Sequence, residues 1–172
     1  LRPAEMGGLM ALGITELHVA RKPRVAILSS GDEVVPPQQR PTPGQVRDIN
    51  AYTLASAVDQ AGGEAVFYGI IPDTHEAMYA AASRAQQECD LAVVTAGSSA
   101  STRDLTSEIL DQLGEPGVLV HGVNTRPGKP TILAVCDGTP MIGLPGNPVS
   151  ALVNTYLFVE PVVQALLGET RP

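Results

Sequence analysis

Apolar positions along the chain fall into short runs that are separated by segments with helical spacing. The run "RVAILSS" (24–30) is almost wholly apolar, which is typical of a strand buried on both faces of a sheet. The runs "EAVFYGII" (64–71) and "DLAVVTA" (90–96) predict two more strands. Shorter runs predict three further strands at 118–123, 131–136 and 140–144.

Helical segments alternate with these strands. Asp48 or Asn50 can cap a first helix that Gly62 and Gly63 end, and Thr74 caps an Ala-rich second helix that starts with "HEAMY". The segment "LTSEILDQLG" predicts a third helix, and a long last helix is expected from about 148 to 167. A proline-rich loop at 35–44 is expected to have no regular structure.

This alternation predicts an α/β fold. We expect three layers, α/β/α, around a mostly parallel sheet joined by right-handed crossovers. The short segments between 118 and 144 leave room for an antiparallel edge. Aromatic residues make up only 3% of the chain and Trp is absent, so Val, Leu, Ile and Ala must build the core.

The length of 172 residues and the 44% of hydrophobic residues favour one compact domain with a short extension. We expect the domain to occupy 23–168 and a short tail to occupy 169–172. Residues 1–22 are expected to form a connector helix, because "RPAEMGGLMALGI" has amphipathic spacing and no strand to cover.

The charge and the cysteine content of the chain indicate its partners and its cellular compartment. The formal net charge of −7, with no run of basic residues, argues against nucleic acid as a partner. Cys89 and Cys136 form no CxxC pair, which indicates buried free thiols in a reducing cytoplasm. No apolar run approaches about 20 residues and no secretory segment opens the chain, so we expect a cytoplasmic protein with no membrane partner.

Candidate chemistry lies in the loops that leave the strands, because ligands of open α/β sheets bind beyond the carboxyl ends of the strands. If these strands are parallel, their outgoing loops meet in a single crevice. Those loops contain Gly31, Asp32 and Glu33 after the first strand, Pro72 and Asp73 after the second, "AGSSAS" after the third and "GLPGNP" after the last.

The segment "TAGSSASTRD" joins a buried strand to the start of a helix. Small residues there, Gly97, Ser98 and Ser99, leave backbone N–H groups free for an anion such as phosphate. A plain turn with Ser, Thr and Asp as caps is the alternative. Asp104 would repel a phosphate unless Mg²⁺ lies between them, so its presence indicates a metal.

The segment "GLPGNPVS" predicts a rigid shelf at a helix N-terminus. Gly146 lets the backbone approach a ligand closely, while Pro145 and Pro148 restrict φ. Asn147 before Pro148 matches a helix cap followed by proline at the first helical position. A tight loop without a ligand is the simpler interpretation.

The segment "TRPGKP" places Arg126 and Lys129 around a turn at Gly128. Two cations on a stiff loop can bind a phosphate, although charges in exposed turns are common. Together with the carboxylates above, they favour a site for a metal-bound, phosphorylated ligand.

Other signals are weak. His75 and Glu76 lack the second His of HExxH and are expected to be residues of a first helical turn, while His18 and His121 are isolated. The chain contains no P-loop, no G-x-G-x-x-G and no G-x-S-x-G.

Five motifs in one order carry a family resemblance over about 22–168. They are "SSGDEV", "PGQVRDINAYTLASAV", "TAGSSASTRD", "RPGKP" and "GLPGNPVSAL". The chain resembles the molybdopterin molybdenumtransferase family, which includes the bacterial MoeA proteins and the E domain of gephyrin. Its first residues are similar to the connector that leads from the preceding domains into the molybdopterin-binding domain.

The resemblance implies a MogA-like fold and a role in the last step of molybdenum cofactor synthesis. Members take adenylylated molybdopterin, release AMP and insert molybdenum from molybdate, assisted by Mg²⁺, and they act as homodimers. By motif match, Asp32, Glu33 and Asp104 are expected at the metal, with Asp104, Glu33 and Lys129 in catalysis. Further binding residues implied by the match are Gly31, Asp32, Gly97, Ser98, Ser99, Arg126, Gly128, Pro145, Gly146, Asn147 and Pro148.

Two departures from the family pattern stand out. Thr102 replaces a residue that is often acidic, and the basic loop starts with Arg126 where Lys is usual. Loss of a carboxylate beside a metal leaves a second hypothesis open, a pterin-binding or scaffolding module without turnover. A nucleotide hydrolase on the same fold is a third.

Overall fold

The computed structural model describes residues 1–96 and 100–168, and the side chains in these ranges except those of 100–103. A six-stranded sheet lies at its centre, with spatial order β4-β1-β5-β8-β7-β6. The strands are β1 (Arg24–Ser30), β2 (Val34–Val35), β3 (Val46–Arg47), β4 (Glu64–Ile71), β5 (Leu91–Ala96), β6 (Pro116–His121), β7 (Ile132–Cys136) and β8 (Thr139–Pro145).

Helices cover both faces of this sheet, which confirms the predicted three-layer α/β fold. Strands β4, β1, β5 and β8 are parallel neighbours, while β7 and β6 continue the sheet in antiparallel pairing, as the sequence suggested. The helices are α1 (Pro3–Ala11), α2 (Asn50–Gln60), α3 (His75–Glu88), α4 (Ala100–Gln112), α5 (Pro148–Asn154) and α6 (Glu160–Leu166), with a π-helical turn at Thr155–Val159.

Two apolar clusters form the core, one on each face of the sheet. Alternate residues of β1 point to opposite faces, so that Ala26 and Leu28 join one cluster and Val25 and Ile27 the other. The first cluster packs beneath α3 and α4, and the second packs beneath α2, the π-helical turn and α6. Burial on both faces explains why β1 and β5 are nearly continuous apolar runs.

Most predicted elements are confirmed, and three details differ. Helix α4 starts at Ala100, before the apolar spacing that revealed it, and β6 starts at Pro116, two residues before the predicted strand. The segment predicted as an irregular proline-rich loop is flanked by β2 and β3, which pair in parallel. Two-residue strands have too little periodicity to be recognised in sequence.

The last helical run, Pro148–Leu166, differs from the expectation that no apolar segment approaches the length of a membrane span. It contains 19 residues and is apolar enough to cross a membrane by length and composition alone. On its inner side Val159 and Val163 belong to the second core cluster, and Ala151 is buried as well. Burial along one side is typical of a helix that packs on the core of a globular domain.

Both cysteines are free and buried, as predicted. Burial raises the pKa of the Cys136 thiol to about 11, and its sulfur donates a hydrogen bond to the Leu110 carbonyl at 3.2 Å. Burial also raises the pKa of Cys89. At the N-terminus, α1 contains no buried residue, so this helix makes no part of the core.

Candidate functional site

The carboxyl ends of β1, β5 and β8 surround a cleft of about 600 Å³, which we call the first cleft. These strands are adjacent in the sheet, so residues far apart in sequence become neighbours at one edge. The first cleft is lined by Ser29, Ser30, Glu33, Val34, Val46, Arg47, Asp48, Ile49, Asn50, Thr95, Gly146, Asn147 and Pro148. The predicted meeting of strand ends is therefore observed for β1, β5 and β8, while residues 97–99 of the loop after β5 lie outside the described residues.

One wall of the first cleft is apolar and exposed. Val46 and Ile49 expose 54% and 51% of their surface, and Val34 completes this wall. The wall comes from β2 and β3, which the sequence pattern did not reveal, and from the residue before the predicted helix α2. An apolar wall beside a few polar groups is typical of sites that bind small organic molecules.

The floor of the first cleft is polar and buried. Ser29 is 2% exposed, and its hydroxyl has no hydrogen-bond partner among the described residues. Thr95 donates to the Leu28 carbonyl at 3.4 Å, and Asp48, which is 7% exposed, accepts from the Ala51 N–H at 3.1 Å. The Asp48 carboxylate therefore caps α2, one of the two caps predicted, and also faces the cleft.

The loop after β1 carries the predicted acidic pair, Asp32 and Glu33, and both side chains are exposed. Asp32 accepts a long hydrogen bond of 3.4 Å from the Asp73 N–H, and the Ser30 hydroxyl donates to the Asp73 carboxylate. These bonds join the β4 loop to the β1 loop. Gly31 has φ +144, and a Cβ there would lie 2.8 Å from the Glu33 carboxylate, so glycine is required by the turn itself.

The predicted shelf forms as expected at Asn147 and Pro148. Asn147 accepts from the Ser150 N–H at 3.2 Å as the cap of α5, and Pro148 is the first helical residue. The Gly146 carbonyl accepts from the Asn50 side chain at 2.9 Å, which joins the starts of α2 and α5. Pro145 differs, because it is buried as the last residue of β8, paired with Ala96, and does not line the cleft.

A second cleft of about 360 Å³ lies beside the basic loop, residues 125–130. It is lined by Asp104 of α4, His121 of β6, Gly122, Lys129 and Pro130. The His121 Nδ1 lies 3.5 Å from the Ser107 hydroxyl. Sequence reasoning treated His121 as isolated, because nothing in the chain order indicates that the end of β6 lies beside the start of α4. Arg126 is exposed on the same loop.

Buried hydrogen bonds to the Gly128 carbonyl fix the position of the basic loop. The Gly128 carbonyl accepts from the Asn154 amide at 2.9 Å, from the Thr131 hydroxyl at 2.8 Å and from the Thr131 N–H at 3.2 Å. Gly128 has φ +110, and a Cβ there would collide with the Asn154 side chain. The glycine predicted to bind a ligand thus has a structural role as well.

The predicted site residues are divided between the two clefts. Glu33 and Asn147 line the first cleft, while Asp104 and Lys129 line the second. Gly97, Ser98 and Ser99, predicted to bind phosphate, lie outside the described residues. Within the described part of the chain, no three His, Cys, Asp or Glu side chains are grouped to hold a metal, so Asp32, Glu33 and Asp104 do not form a ready three-ligand set.

Comparison with known proteins decides the family. Residues 26–165 match a family whose description is "Probable molybdopterin binding domain". The chain belongs to this family. The match covers the sheet from the third residue of β1 onward and the helices α2 to α5, and it includes both clefts.

Relatives of this molybdopterin-binding domain carry consistent names. It is 39% identical over 171 residues to a molybdopterin molybdenumtransferase of Nostoc sp., covering 98% of this chain and 39% of the relative. It is 33% identical to a molybdopterin molybdenumtransferase of Haemophilus influenzae, covering 99% of this chain and 42% of the relative. The chain therefore spans about two fifths of the length of these curated relatives.

Solved structures support the fold. A molybdopterin biosynthesis MoeA protein from Pyrococcus horikoshii superimposes with a TM-score of 0.86 at 41% identity, over 98% of this chain and 41% of that one. The MoaB enzyme of Thermus thermophilus has a TM-score of 0.63 at 18% identity, over 86% of this chain and 98% of that one, and supports the fold alone. The MogA-like fold implied by the resemblance is confirmed.

Proposed function

We propose that this chain is the molybdopterin-binding domain of a molybdenumtransferase that acts in molybdenum cofactor biosynthesis. The observation that carries the proposal is the first cleft, in which three parallel strand ends surround an apolar wall and a buried polar floor. Its chemistry suits a flat heterocycle with several N–H groups. The family match, the names of the relatives and the cleft all support the same substrate class.

In this proposal the pterin of adenylylated molybdopterin occupies the first cleft. Val46 and Ile49 would cover one face of the ring system, since both side chains line the cleft and are half exposed. The Asp48 carboxylate would accept hydrogen bonds from the ring N–H and exocyclic amine, because a carboxylate matches two parallel donors. Asn147 and Pro148 form the rigid end of the cleft, with Gly146 supplying close backbone approach.

The charged part of the ligand would lie toward the second cleft. Lys129 and Arg126 supply positive charge for the pyrophosphate, and the segment from Thr95 to Asp104, which contains Gly97, Ser98 and Ser99, joins the two clefts along the chain. Lys129 would stabilise negative charge that develops as the AMP phosphate leaves. Asp104 and Glu33 are the carboxylates proposed for the reaction.

The carboxylates fit Mg²⁺ only in part. Asp32 and Glu33 are adjacent and exposed, which suits the one or two carboxylates that Mg²⁺ commonly takes together with substrate phosphates. Asp104 belongs to a different cleft. When bound by Asp32 and Glu33, the ion would neutralise charge at a phosphate oxygen. Asp104 would then not bind the ion together with these two carboxylates and would act on the substrate instead.

The complete activity proposed is the insertion of molybdenum from molybdate with release of AMP, in a cytoplasmic homodimer of the full-length protein. It is tested with the purified chain and its Asp104→Ala variant. We expect the chain to bind molybdopterin or its AMP adduct, and we expect Asp104→Ala to fold normally and to release less AMP. Unchanged AMP release would remove Asp104 from the reaction.

A second candidate is a pterin-binding or scaffolding module without turnover. It is favoured by Thr102, which replaces a commonly acidic residue. It predicts that the chain binds the pterin but releases no AMP when molybdate is added. Measurement of AMP with and without molybdate therefore separates the two candidates.

A further inference from the structure

We propose that Asn154 is a positioning residue for the basic loop: its buried side chain holds the Gly128 carbonyl and thereby sets the place of Lys129 in the second cleft. The proposal rests on the function above, in which Lys129 contacts an anionic ligand. Asn154 lies at the end of α5, outside the motifs that the sequence analysis singled out, and it touches neither cleft.

The contacts of Asn154 are unusually specific for a helix residue. Its side chain is 0% exposed, and its amide donates to the Gly128 carbonyl at 2.9 Å and to the Thr131 hydroxyl at 2.5 Å. Thr131 is also fully buried and donates to the same carbonyl. With the Thr131 N–H, which also donates to it at 3.2 Å, three donors converge on one oxygen, and that oxygen belongs to the residue directly before Lys129.

The basic loop and helix α5 are also in close steric contact at Gly128. Gly128 has φ +110, and any side chain there would enter the volume that the Asn154 amide occupies. The loop can pass this close to α5 only because glycine leaves space for the amide. Steric fit and hydrogen bonding thus restrict the same point of the loop, which leaves little freedom for the adjacent Lys129 backbone.

Stability alone does not account for this side chain. The Asn154 Oδ1 is buried and has no hydrogen-bond partner in the part of the chain that the structure describes. A buried amide with one unsatisfied oxygen costs stability that an apolar side chain would avoid. Violations of this kind are expected where a residue serves a site, and the site that Asn154 reaches is the basic loop.

Helix α5 also connects the two clefts. Asn147 caps its start in the first cleft, and Asn154 at its end holds the loop of the second. Seven residues of helix span about 10 Å. The π-helical turn begins directly after Asn154, where Thr155 is also buried.

The first experiment measures amide hydrogen exchange in the full chain for Asn154→Ala and for a matched control, Thr155→Val. Thr155 is equally buried, but among the described residues its hydroxyl donates only to the Ala151 carbonyl, within the same helical run, at 2.8 Å. We expect Asn154→Ala to raise exchange in 122–131 at least fivefold, and Thr155→Val to leave this segment unchanged. Unchanged exchange of the loop in Asn154→Ala would overturn the proposal.

The second experiment asks whether Asn154 acts through Lys129, with inorganic pyrophosphate as the probe. We expect Asn154→Ala to weaken pyrophosphate binding about fivefold, and to have no effect in a chain that already carries Lys129→Ala. Equal effects in both backgrounds would show that Asn154 acts on the fold in general, which contradicts a positioning role.

Two outcomes separate this inference from the proposed function. If the unchanged chain does not bind pyrophosphate, the proposed anion site fails, and hydrogen exchange alone decides the positioning role. If Asn154→Ala does not fold, Thr131→Val removes the second side-chain donor to Gly128 and is expected to raise loop exchange by a smaller factor. No change in Thr131→Val would then count against the proposal.

Discussion

The two clefts are built in different ways. The first forms where parallel β1, β5 and β8 end, and its polar groups are held by helix caps and strand pairing. The second forms where the sheet turns antiparallel, and the loop beside it depends on the buried contacts of Gly128 with Thr131 and Asn154. Parallel topology is thus enough to create one cleft, whereas the other needs a specific set of side chains.

The largest expected effect tests the support of the second cleft. Gly128→Ala adds a Cβ that collides with Asn154 and forces an L-residue to φ +110. We expect a loss of about 3 kcal/mol in the free energy of unfolding, from overpacking and backbone strain together. Chemical denaturation of the variant and of the unchanged chain measures this difference in the free energy of unfolding.

Gly138→Ala is the matched control for this change. Gly138 has φ +87, but a Cβ there would meet no atom within 4 Å. Only the backbone strain applies, so we expect a loss of about 1 kcal/mol. Equal losses of stability in the two variants would mean that the close approach of Gly128 to Asn154 does not restrict the basic loop.

The next effect concerns the first cleft alone. Asp48→Asn keeps an oxygen that can cap α2 but removes the charge that faces the cleft. We expect the affinity for a soluble pterin, followed by its fluorescence, to fall at least about tenfold, since hydrogen bonds to a charged group contribute about 1.5–3 kcal/mol. The unfolding midpoint should hardly change.

Asp48→Ala provides the contrast, because it removes both the charge and the cap. We expect the same loss of pterin affinity and, in addition, a loss of about 1 kcal/mol in stability. Full pterin affinity in both variants would exclude Asp48 from the proposed pterin site and would leave it as a helix cap only.

A smaller effect separates the two clefts by ligand. Lys129 is exposed, so Lys129→Ala should leave stability unchanged and weaken pyrophosphate binding about fivefold, less at high salt. Pterin affinity should stay the same, because Lys129 does not line the first cleft. Isothermal titration calorimetry with each ligand measures both affinities. An equal loss of affinity for the two ligands would show that both bind at the same site, contrary to this prediction.

The smallest effect lies at the opposite end of the sheet. The Arg21 guanidinium bonds to Asp90 at 2.5 and 2.6 Å and holds the pKa of that carboxyl below its ordinary value. This pair stabilises the fold above the ordinary carboxyl pKa, and the contribution is lost as the pH falls through the lowered pKa. Arg21→Ala should therefore lower the unfolding midpoint slightly at pH 7 and not in strong acid, with pterin and pyrophosphate binding unchanged.

Much of the fold could be predicted because it rests on local patterns. β1 and β4 have the predicted bounds, and Thr74 and Asn147 cap helices as expected. β2 and β3 could not be predicted, since pairs of two residues form only when tertiary contacts bring them together. They matter to the site, because Val34 and Val46 form part of the apolar wall.

The candidate site was predictable to a similar degree. Strand-end loops identified Glu33, Gly146 and Asn147, which do meet in the first cleft. The position of Asp104 and Lys129 in a separate cleft was not foreseen, and neither was His121 beside them. Asn154 carries no motif at all, because its role depends on a carbonyl 26 residues away in the chain.

The sequence alone determined the six longer strands, the helices, the order of the loops and the family resemblance, because these follow from residue patterns within short segments. Only the tertiary structure decided which loops share a cleft and which buried groups hold them. Those choices depend on strand order and on hydrogen bonds between distant segments, and no local pattern records either of them.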